Sequence, residues 1–596
     1  MFQTFNVTSS PDQAAPRVTN LRIAMADAGL DGFLIPRADA HQGEYVAPCD
    51  ERLAWLTGFT GSAGSAAVLT DRAAMFTDGR YTVQVRAQCD TDLFECIDWP
   101  ATSVAKWLGR TDAQKIGFDP WLHTVAEVRG LREALTKLGK DLVSTNNLVD
   151  KIWADRPARP NAPATAHPIE LAGKTSQDKF EQINEALRKS GAKAVVLTLP
   201  DSISWLLNIR GADIAHNPVV QAFAVLSTAG KLALFAEPSK FDALGPDPRI
   251  SILPRSAFPA YLRDMEGPVL IDPNTAPHAV LTMLRDGGDV EIIEGDDPCI
   301  LPKALKTDAE IAGTREAHLR DGAAMVEFLS WLDAQEIETL TEIDIVTALE
   351  GFRAATNQLK DISFDTISGA GPNGAIVHYR VTEETNRPLK EGELLLVDSG
   401  GQYVDGTTDI TRTVALGDVA GEARAAFTAV LQGMIAISTA RFPRGVTGGH
   451  LDALARAPLW RMGRDYDHGT GHGVGAYLSV HEGPQRISRT STLSLQEGMI
   501  LSNEPGYYRE GAFGIRTENL IVVRAAQMPE GADARDMLDF ETLTYVPIDR
   551  SLILADELAP WERDWLDDYH QEVWDKLAPR LSDAAKDWLR QAVAAL

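Results

Sequence analysis

Apolar positions along the chain fall into two patterns: short continuous runs bounded by turn residues, and longer stretches with helical spacing. GFLIPRAD (32–39) is a short apolar strand, followed by LAWLTGFTGSAG (53–64) and the strand AAMFTDGR. AVVLTLPD (194–201) opens the same series, with SISWLLNIRGAD (202–213) and then the strand LALFAEP. Each series places a tryptophan, Trp55 or Trp205, just ahead of a turn, so the first half of the chain reads as one α/β domain used twice. Between the copies, ADRPARPNAPATAHP (154–168) is proline-rich with little apolar content, which predicts an extended linker. Phe180, Ile183 and Leu187 then repeat at helical spacing in a polar helix that leads into the second copy. Near residue 300, Pro302 is followed by Thr307 and Glu310 in capping-box spacing, opening an amphipathic run through Trp331 and Leu332.

The remainder of the chain changes character. Its strands are apolar and end in acids, ELLLVDSG (393–400) and GMILSNEPG (498–506). Each is followed after a turn by another strand, DITRTVAL (409–416) and GIRTENLIVV (514–523). The pattern predicts a hairpin presenting two carboxylates, used twice. The tail carries Trp561, Trp565, Trp574 and Trp588 in helical sequence, to be docked on its own domain or buried against a second subunit. The expected organisation is α/β (α+β): related α/β domains at 1–155 and 156–300, then a larger catalytic domain at 301–596 with a Trp-rich helical tail.

Composition narrows the function. A length of 596 residues suggests about four domains, against the three that the pattern supports. With 84 Asp plus Glu against 57 Lys plus Arg, the formal charge is -27, which disfavours nucleic acid and anionic membrane as partners. The four cysteines, Cys49, Cys89, Cys96 and Cys299, form no C-x-x-C and read as free thiols in a reducing compartment. MFQTFNVTSSPDQ lacks the features of a signal peptide, and no apolar stretch reaches the ~20 residues of a membrane span. A cytoplasmic enzyme is the expectation.

The candidate chemistry lies in the acidic strand ends. A reversal between Asp398 and Asp409 lets their side chains share a face, and Glu504 and Glu518 stand in the same relation around YYREGAFG. Two converging carboxylate pairs repel unless cations bind between them, and two divalent ions neutralise four carboxylates while leaving a hydroxide bridged between the ions. GTGHGVG (469–475) supplies His472 in a glycine-rich loop as a fifth ligand. One nitrogen among oxygens favours a hard ion such as Mn²⁺ over a thiolate-type zinc site. Each residue alone is commonly structural, a turn, a cap or a loop histidine; the weight lies in the ordered set.

That set, within VDSGGQYVDGTTDITRT, HGTGHGVG, NEPGYY and GIRTEN, resembles the metal set of the pita-bread metallopeptidases, the group of methionine aminopeptidase, prolidase, aminopeptidase P and creatinase. GPNGAIVHY (371–379), VHEGP (480–484), AHQGEYVAPCDERLAWLTGFTGSAG (40–64) and WLLNIRGADIAHNPV (205–219) are similar to the three-domain Xaa-Pro aminopeptidases. The resemblance implies two creatinase-like α/β domains before a pita-bread domain, and attack on the peptide carbonyl by a metal-bridging water or hydroxide. It makes Asp398 a bidentate ligand of one ion, His472 a ligand of the other, Asp409 and Glu518 bridges, and Glu504 both ligand and general base. His378 and His481 would bind substrate and the developing oxyanion, and His468 would face the leaving-group proline. Arg516 would orient an acidic ligand, being two residues before Glu518 on a shared strand. Thr517 departs from the apolar residue usual at that position and should point away from the metals. Two divalent ions are implied, Mn²⁺ foremost with Zn²⁺ or Co²⁺ as alternatives, along with a homodimer in which the mate's N-terminal domain caps the site.

The reading is therefore a metal-dependent aminopeptidase that releases the residue preceding proline from peptides. The alternatives are a prolidase-like Xaa-Pro dipeptidase and a non-catalytic binding protein on the same fold. The last should have lost metal ligands, and all five positions are filled here.

Overall fold

A computed structural model describes residues 1–288 and 290–596. The chain forms two compact units: one holds Thr8–Ile169 with Lys174–Ile300, the other Met1–Val7, Glu170–Gly173 and Leu301–Leu596.

The N-terminal unit contains the anticipated duplication. One six-stranded sheet comprises β1 (Gly32–Pro36), β2 (Ser65–Leu69), β3 (Ala73–Thr77), β4 (Phe94–Asp98), β5 (Lys115–Phe118) and β6 (Asp141–Ser144), in the order β4-β3-β2-β1-β5-β6. The other comprises β7 (Ala194–Leu197), β8 (Phe223–Ser227), β9 (Leu232–Phe235), β10 (Ile250–Leu253), β11 (Val269–Ile271) and β12 (Ile292–Glu294), in the order β10-β9-β8-β7-β11-β12. Both sheets have antiparallel central pairings and parallel outer ones in the same places. Their central strands are buried on both faces, which is why they read as continuous apolar runs and not as alternation. The proline-rich stretch is irregular until Thr165–Ala166 pairs with Ile209–Arg210. Phe180, Ile183 and Leu187 are the buried stripe of helix α1 (Ser176–Ser190).

In the C-terminal unit, helix α2 (Asp308–Asp333) starts at the anticipated capping box: the Glu310 amide donates to Thr307 Oγ1 at 3.2 Å and the Thr307 amide to Glu310 Oε2 at 2.8 Å. A three-stranded sheet sets β13 (Ile367–Ala370), β14 (Glu393–Ser399) and β15 (Ile410–Leu416) side by side, with Asp398 opposite Thr411. Helices α3 (Gly421–Ser438) and α4 (Gly448–Arg461) follow. A six-stranded sheet contains β16 (Phe442–Pro443), β17 (Gly471–Gly473), β18 (Glu482–Ile487), β19 (Ile500–Asn503), β22 (Asn519–Ala525) and β23 (Met537–Thr542), in the order β16-β23-β22-β19-β17-β18. Between β19 and β22 lies a separate ribbon, β20 (Gly506–Arg509) with β21 (Phe513–Arg516).

This ribbon corrects one detail. GIRTENLIVV is not one strand: β21 ends at Arg516 and β22 begins at Asn519, so Arg516 and Glu518 do not share a strand face. On the partner side Pro505, with no N–H to give, interrupts pairing between β19 and β20. Glu504 and Glu518 thus occupy facing breaks where the chain leaves one sheet for the other. The tail forms α5 (Pro560–Leu577) and α6 (Asp583–Ala592), with Trp565, Trp574 and Trp588 packed on the core of the unit while Trp561 stays 51% exposed. No helix among the described residues is long and apolar enough to cross a membrane.

Candidate metal centre

Strand register brings the predicted acids together. Asp398 sits at the end of β14, and Asp409 immediately precedes β15. The Glu518 amide donates to the Thr411 carbonyl at 3.2 Å and Thr411 Oγ1 donates to Glu518 Oε2 at 2.8 Å, tying the second hairpin to the first. Ligand-type atoms of Asp398, Asp409 and Glu518 lie within 4.8 Å of one another, as do those of His472, Glu504 and Glu518, and those of Asp409, His472 and His481. All five predicted ligand positions therefore converge on one place, with His481 against them; the His472 and His481 rings meet edge to face at 4.4 Å.

The electrostatics are those of an uncompensated anionic pocket. Burial pushes Asp409 well above the usual carboxylate range, and the neighbouring Asp398 charge adds to it. Burial raises Glu518 well above its ordinary value too, reinforced by Asp409, Glu504 and Asp398. Glu504 is raised by burial, with His472 and Arg516 opposing. Asp398 Oδ1 and Glu518 Oε1 are buried and receive no hydrogen bond from any described residue. His472 Nδ1 faces the Gly473 carbonyl at 3.0 Å and must carry the proton there, so in the neutral ring the Nε2 lone pair faces Asp409 Oδ2 at 3.5 Å and Glu504 Oε1 at 3.4 Å. Three acceptors aimed at one another and two carboxylate oxygens without donors fit divalent cations, and the oxygen-rich set with one imidazole fits hard or borderline ions.

The surroundings hold these groups in place. Ser502 Oγ accepts from the His472 amide at 2.9 Å and donates to Glu504 Oε1 at 3.0 Å, and the Glu504 amide donates to the Thr470 carbonyl at 2.8 Å. Arg516 reaches Asp398 Oδ2 with Nη2 despite the strand break, and its Nη1 donates to Tyr508 Oη at 2.6 Å. Tyr508 and Asp398 outweigh the cost of burying this guanidinium and hold it above its usual value. Tyr508 Oη in turn lies 2.9 Å from Nε2 of His468, whose Nδ1 donates to the Gly469 carbonyl at 2.7 Å. His468 thus stands at the far end of a chain from Asp398 through Arg516 and Tyr508. His378 follows Val377, whose carbonyl accepts weakly from Arg516 Nη1 at 3.5 Å, so the backbone bearing that imidazole passes beside the guanidinium. Thr517, next to Glu518, is buried with Oγ1 making no hydrogen bond, outside the acidic cluster.

Sequence reasoning passed over Tyr508, Thr411 and Ser502, although each lies inside or beside a motif already singled out. It also passed over the network beneath the His468–His472 loop. There Arg456 binds Asp452 at 2.7 Å and the His468 carbonyl at 2.7 Å, and Thr470 Oγ1 donates to Asp452 Oδ1 at 2.7 Å.

Comparison with known proteins agrees with this geometry. Residues 312–525 match metallopeptidase family M24, residues 17–152 and 155–310 each match a creatinase/prolidase N-terminal domain, and residues 536–596 match the C-terminal region of peptidase M24. A probable Xaa-Pro aminopeptidase P of Talaromyces marneffei is 39% identical over 96% of this chain and 91% of its own. Aminopeptidase P2 of Arabidopsis thaliana is 38% identical over 94% of this chain and 85% of its own. The crystal structure of X-prolyl aminopeptidase from Caenorhabditis elegans, described as a cytosolic enzyme with a di-nuclear active site, superposes with a TM-score of 0.92 at 33% identity, covering 98% of this chain and 100% of that one. With its duplicated creatinase-type N-terminal half, its acid-bearing hairpins and its docked tail, the chain belongs to the Xaa-Pro aminopeptidase P group of metallopeptidase family M24.

Proposed function

We propose that the protein releases the N-terminal residue from peptides with proline at the second position. Two divalent ions, Mn²⁺ foremost, would be held by Asp398, Asp409, His472, Glu504 and Glu518. The observation that carries this reading is the convergence of the His472 Nε2 lone pair with Asp409 and Glu504, beside Asp398 and Glu518 oxygens that no donor serves. When bound, such ions acidify water and polarise a carbonyl.

The chain's own residues do the rest. Glu504, half-buried and raised in pKa, takes a proton at one carboxylate oxygen while Ser502 holds the other. Arg516 fixes the orientation of Asp398 and passes that order to Tyr508 and His468. His481, against His472, and His378 serve as donors to the substrate and the oxyanion, and His468 faces the leaving proline. An Xaa-Pro bond offers no amide N–H, so a pocket built for it selects by shape and leaves no donor to satisfy. The same reading divides the chain into domains at 1–155, 156–300 and 301–596 and makes the enzyme a cytoplasmic homodimer, in keeping with a nematode relative described as cytosolic.

Cleavage of an Xaa-Pro-Xaa tripeptide by chelator-treated protein, reconstituted in turn with Mn²⁺, Zn²⁺ and Co²⁺, tests the proposal. Tripeptide turnover that depends on added metal is the expected result. Turnover confined to Xaa-Pro dipeptides would overturn the aminopeptidase reading in favour of a dipeptidase.

A further inference from the structure

The strand that follows Asp409 buries an arginine with no acidic partner among the described residues. Arg412 lies in β15, is 2% exposed, and spreads its N–H groups over six acceptors. Nε donates to the Pro547 carbonyl at 3.1 Å. Nη1 donates to the carbonyls of Thr411 at 2.9 Å and Glu518 at 2.6 Å. Nη2 donates to Asn519 Oδ1 at 2.8 Å, the Val546 carbonyl at 2.8 Å and Tyr569 Oη at 2.9 Å. None of the six is a carboxylate. Enclosing an unpaired guanidinium is costly, and a core that needed only filling would take an apolar side chain here.

What this arrangement secures is Glu518. Its amide and one carboxylate oxygen are held by Thr411, and its carbonyl is held by Arg412. Glu518 stands in the break between β21, which ends at Arg516, and β22, which begins at Asn519, so its own backbone lies outside the strand pairing of both. Arg412 substitutes for that pairing, and Arg412 is itself steadied from the tail. Tyr569, on α5, stacks on Trp565 at 5.3 Å with the rings 4° from parallel, and its hydroxyl also accepts from the Val546 amide at 3.1 Å and lies 2.8 Å from the Val546 carbonyl. The phenol is therefore saturated and rigid where it meets the guanidinium.

We propose that Arg412 and Tyr569 are positioning residues for Glu518, through which the C-terminal helix sets the affinity of the centre for divalent ions. The proposal rests on the reading of Glu518 as a metal ligand. A competition titration of Mn²⁺ against a chromophoric chelator, on the full chain stripped of metal, tests both and separates them. Glu518→Gln is expected to abolish tight binding; if it binds Mn²⁺ like the parent chain, the ligand reading falls and takes this proposal with it. If Glu518→Gln loses Mn²⁺, Tyr569→Phe is expected to weaken binding about tenfold, the low end of the roughly 10–100-fold typical of groups that orient a ligand. The KM for a tripeptide should stay within twofold, and kcat should recover at saturating Mn²⁺. Trp588→Ala, which loosens α6 and leaves the Trp565–Tyr569 stack in place, should lower the thermal midpoint of the metal-free chain and leave Mn²⁺ affinity unchanged. Arg412→Lys, which keeps the charge and loses the fork, should weaken Mn²⁺ at least as much as Tyr569→Phe and serves if the latter does not fold. Affinity within twofold of the parent in whichever of these two variants folds, or an equal loss in Trp588→Ala, would overturn the proposal.

Discussion

Buried acids are compensated in opposite ways at two places in the molecule, Asp50 and Asp213 of the N-terminal unit and the acidic cluster of the C-terminal unit. In the N-terminal unit, Asp50 is 5% exposed and lies 2.9 Å from Arg52, 3.2 Å from Arg156 and 4.0 Å from Arg159, while Asp213 lies 2.6 Å from Lys240. In the C-terminal unit, Asp398, Asp409, Glu504 and Glu518 crowd together with one guanidinium, Arg516, bonded to one of them. Glu482 marks the difference at close quarters. It follows His481, yet its two oxygens are taken by Lys303 at 2.9 Å and Lys306 at 2.5 Å, and it stands outside the cluster. Burial alone thus does not identify a metal ligand. An acid whose oxygens are answered by cationic side chains is architecture, and converging acids left unanswered are the candidates for chemistry.

Exchanging the charge of one acid from each class would break the comparison most directly. Asp409→Asn should lower tripeptide turnover by about 10⁴-fold, because metal affinity and charge stabilisation are lost together. Its metal-free fold should remain intact, since neutralising one member of a repelling cluster relieves repulsion; metal analysis and circular dichroism on the same sample would check both. Asp50→Asn should do the reverse. Removing one partner of a buried ion pair costs about 3–5 kcal/mol, so its denaturation midpoint should fall while metal stoichiometry per folded chain is unchanged. Metal loss in Asp50→Asn, or none in Asp409→Asn, would erase the distinction.

A smaller effect is expected at the link between the centre and its histidine. Tyr508→Phe removes the acceptor for Arg516 and the hydroxyl at His468. A hydrogen bond to a charged group is worth about 1.5–3 kcal/mol, so kcat/KM for a tripeptide should fall at least tenfold while two ions remain bound. Loss of metal without loss of turnover at saturating ion would show that Tyr508 serves Asp398 alone.

How much of this was legible in the sequence follows from where the determinants lie along the chain. The duplicated sheets and the converging acids were legible, because apolar runs ending in DSG or NEPG and closed by turns carry strand, turn and carboxylate together. The break between Arg516 and Asn519 was not, since GIRTENLIVV has the composition of one strand and only pairing to two different neighbours divides it. Arg412 was illegible for a related reason: a lone arginine in DITRTVAL reads as a solvent-facing position, and its partners Val546, Pro547 and Tyr569 lie 134 to 157 residues further along the chain. The tryptophans of that tail predicted burial without saying against what; three of the four pack on the core of their own unit.

Asp297 sharpens the comparison from the other side, because it is a buried acid beside two others, Asp201 and Asp272, with no cationic partner among the described residues. It lies in the N-terminal unit, 4% exposed, with Oδ2 outside hydrogen-bonding geometry and the Cys299 amide donating to Oδ1 at 2.8 Å. Burial raises its pKa from 3.8 to about 6, with Asp201 and Asp272 adding to the shift. If arginines answer Asp50 and metal answers Asp409, a proton is what remains for Asp297. The folded-state value lies above the unfolded one, so the folded chain holds the proton more tightly: the benefit is complete below about pH 4, declines as pH rises to about 6, and is absent above it. The ceiling is about two pKa units, or roughly 3 kcal/mol, less what relaxation recovers. Asp297→Asn keeps an oxygen for Cys299 and removes the charge, so it should stabilise the N-terminal unit by about 1 kcal/mol at pH 7.5 and leave it unchanged at pH 4. Urea denaturation of both chains at the two pH values measures this. Equal midpoints at pH 7.5 would mean that a cation or water already answers Asp297, placing it in one of the other two classes.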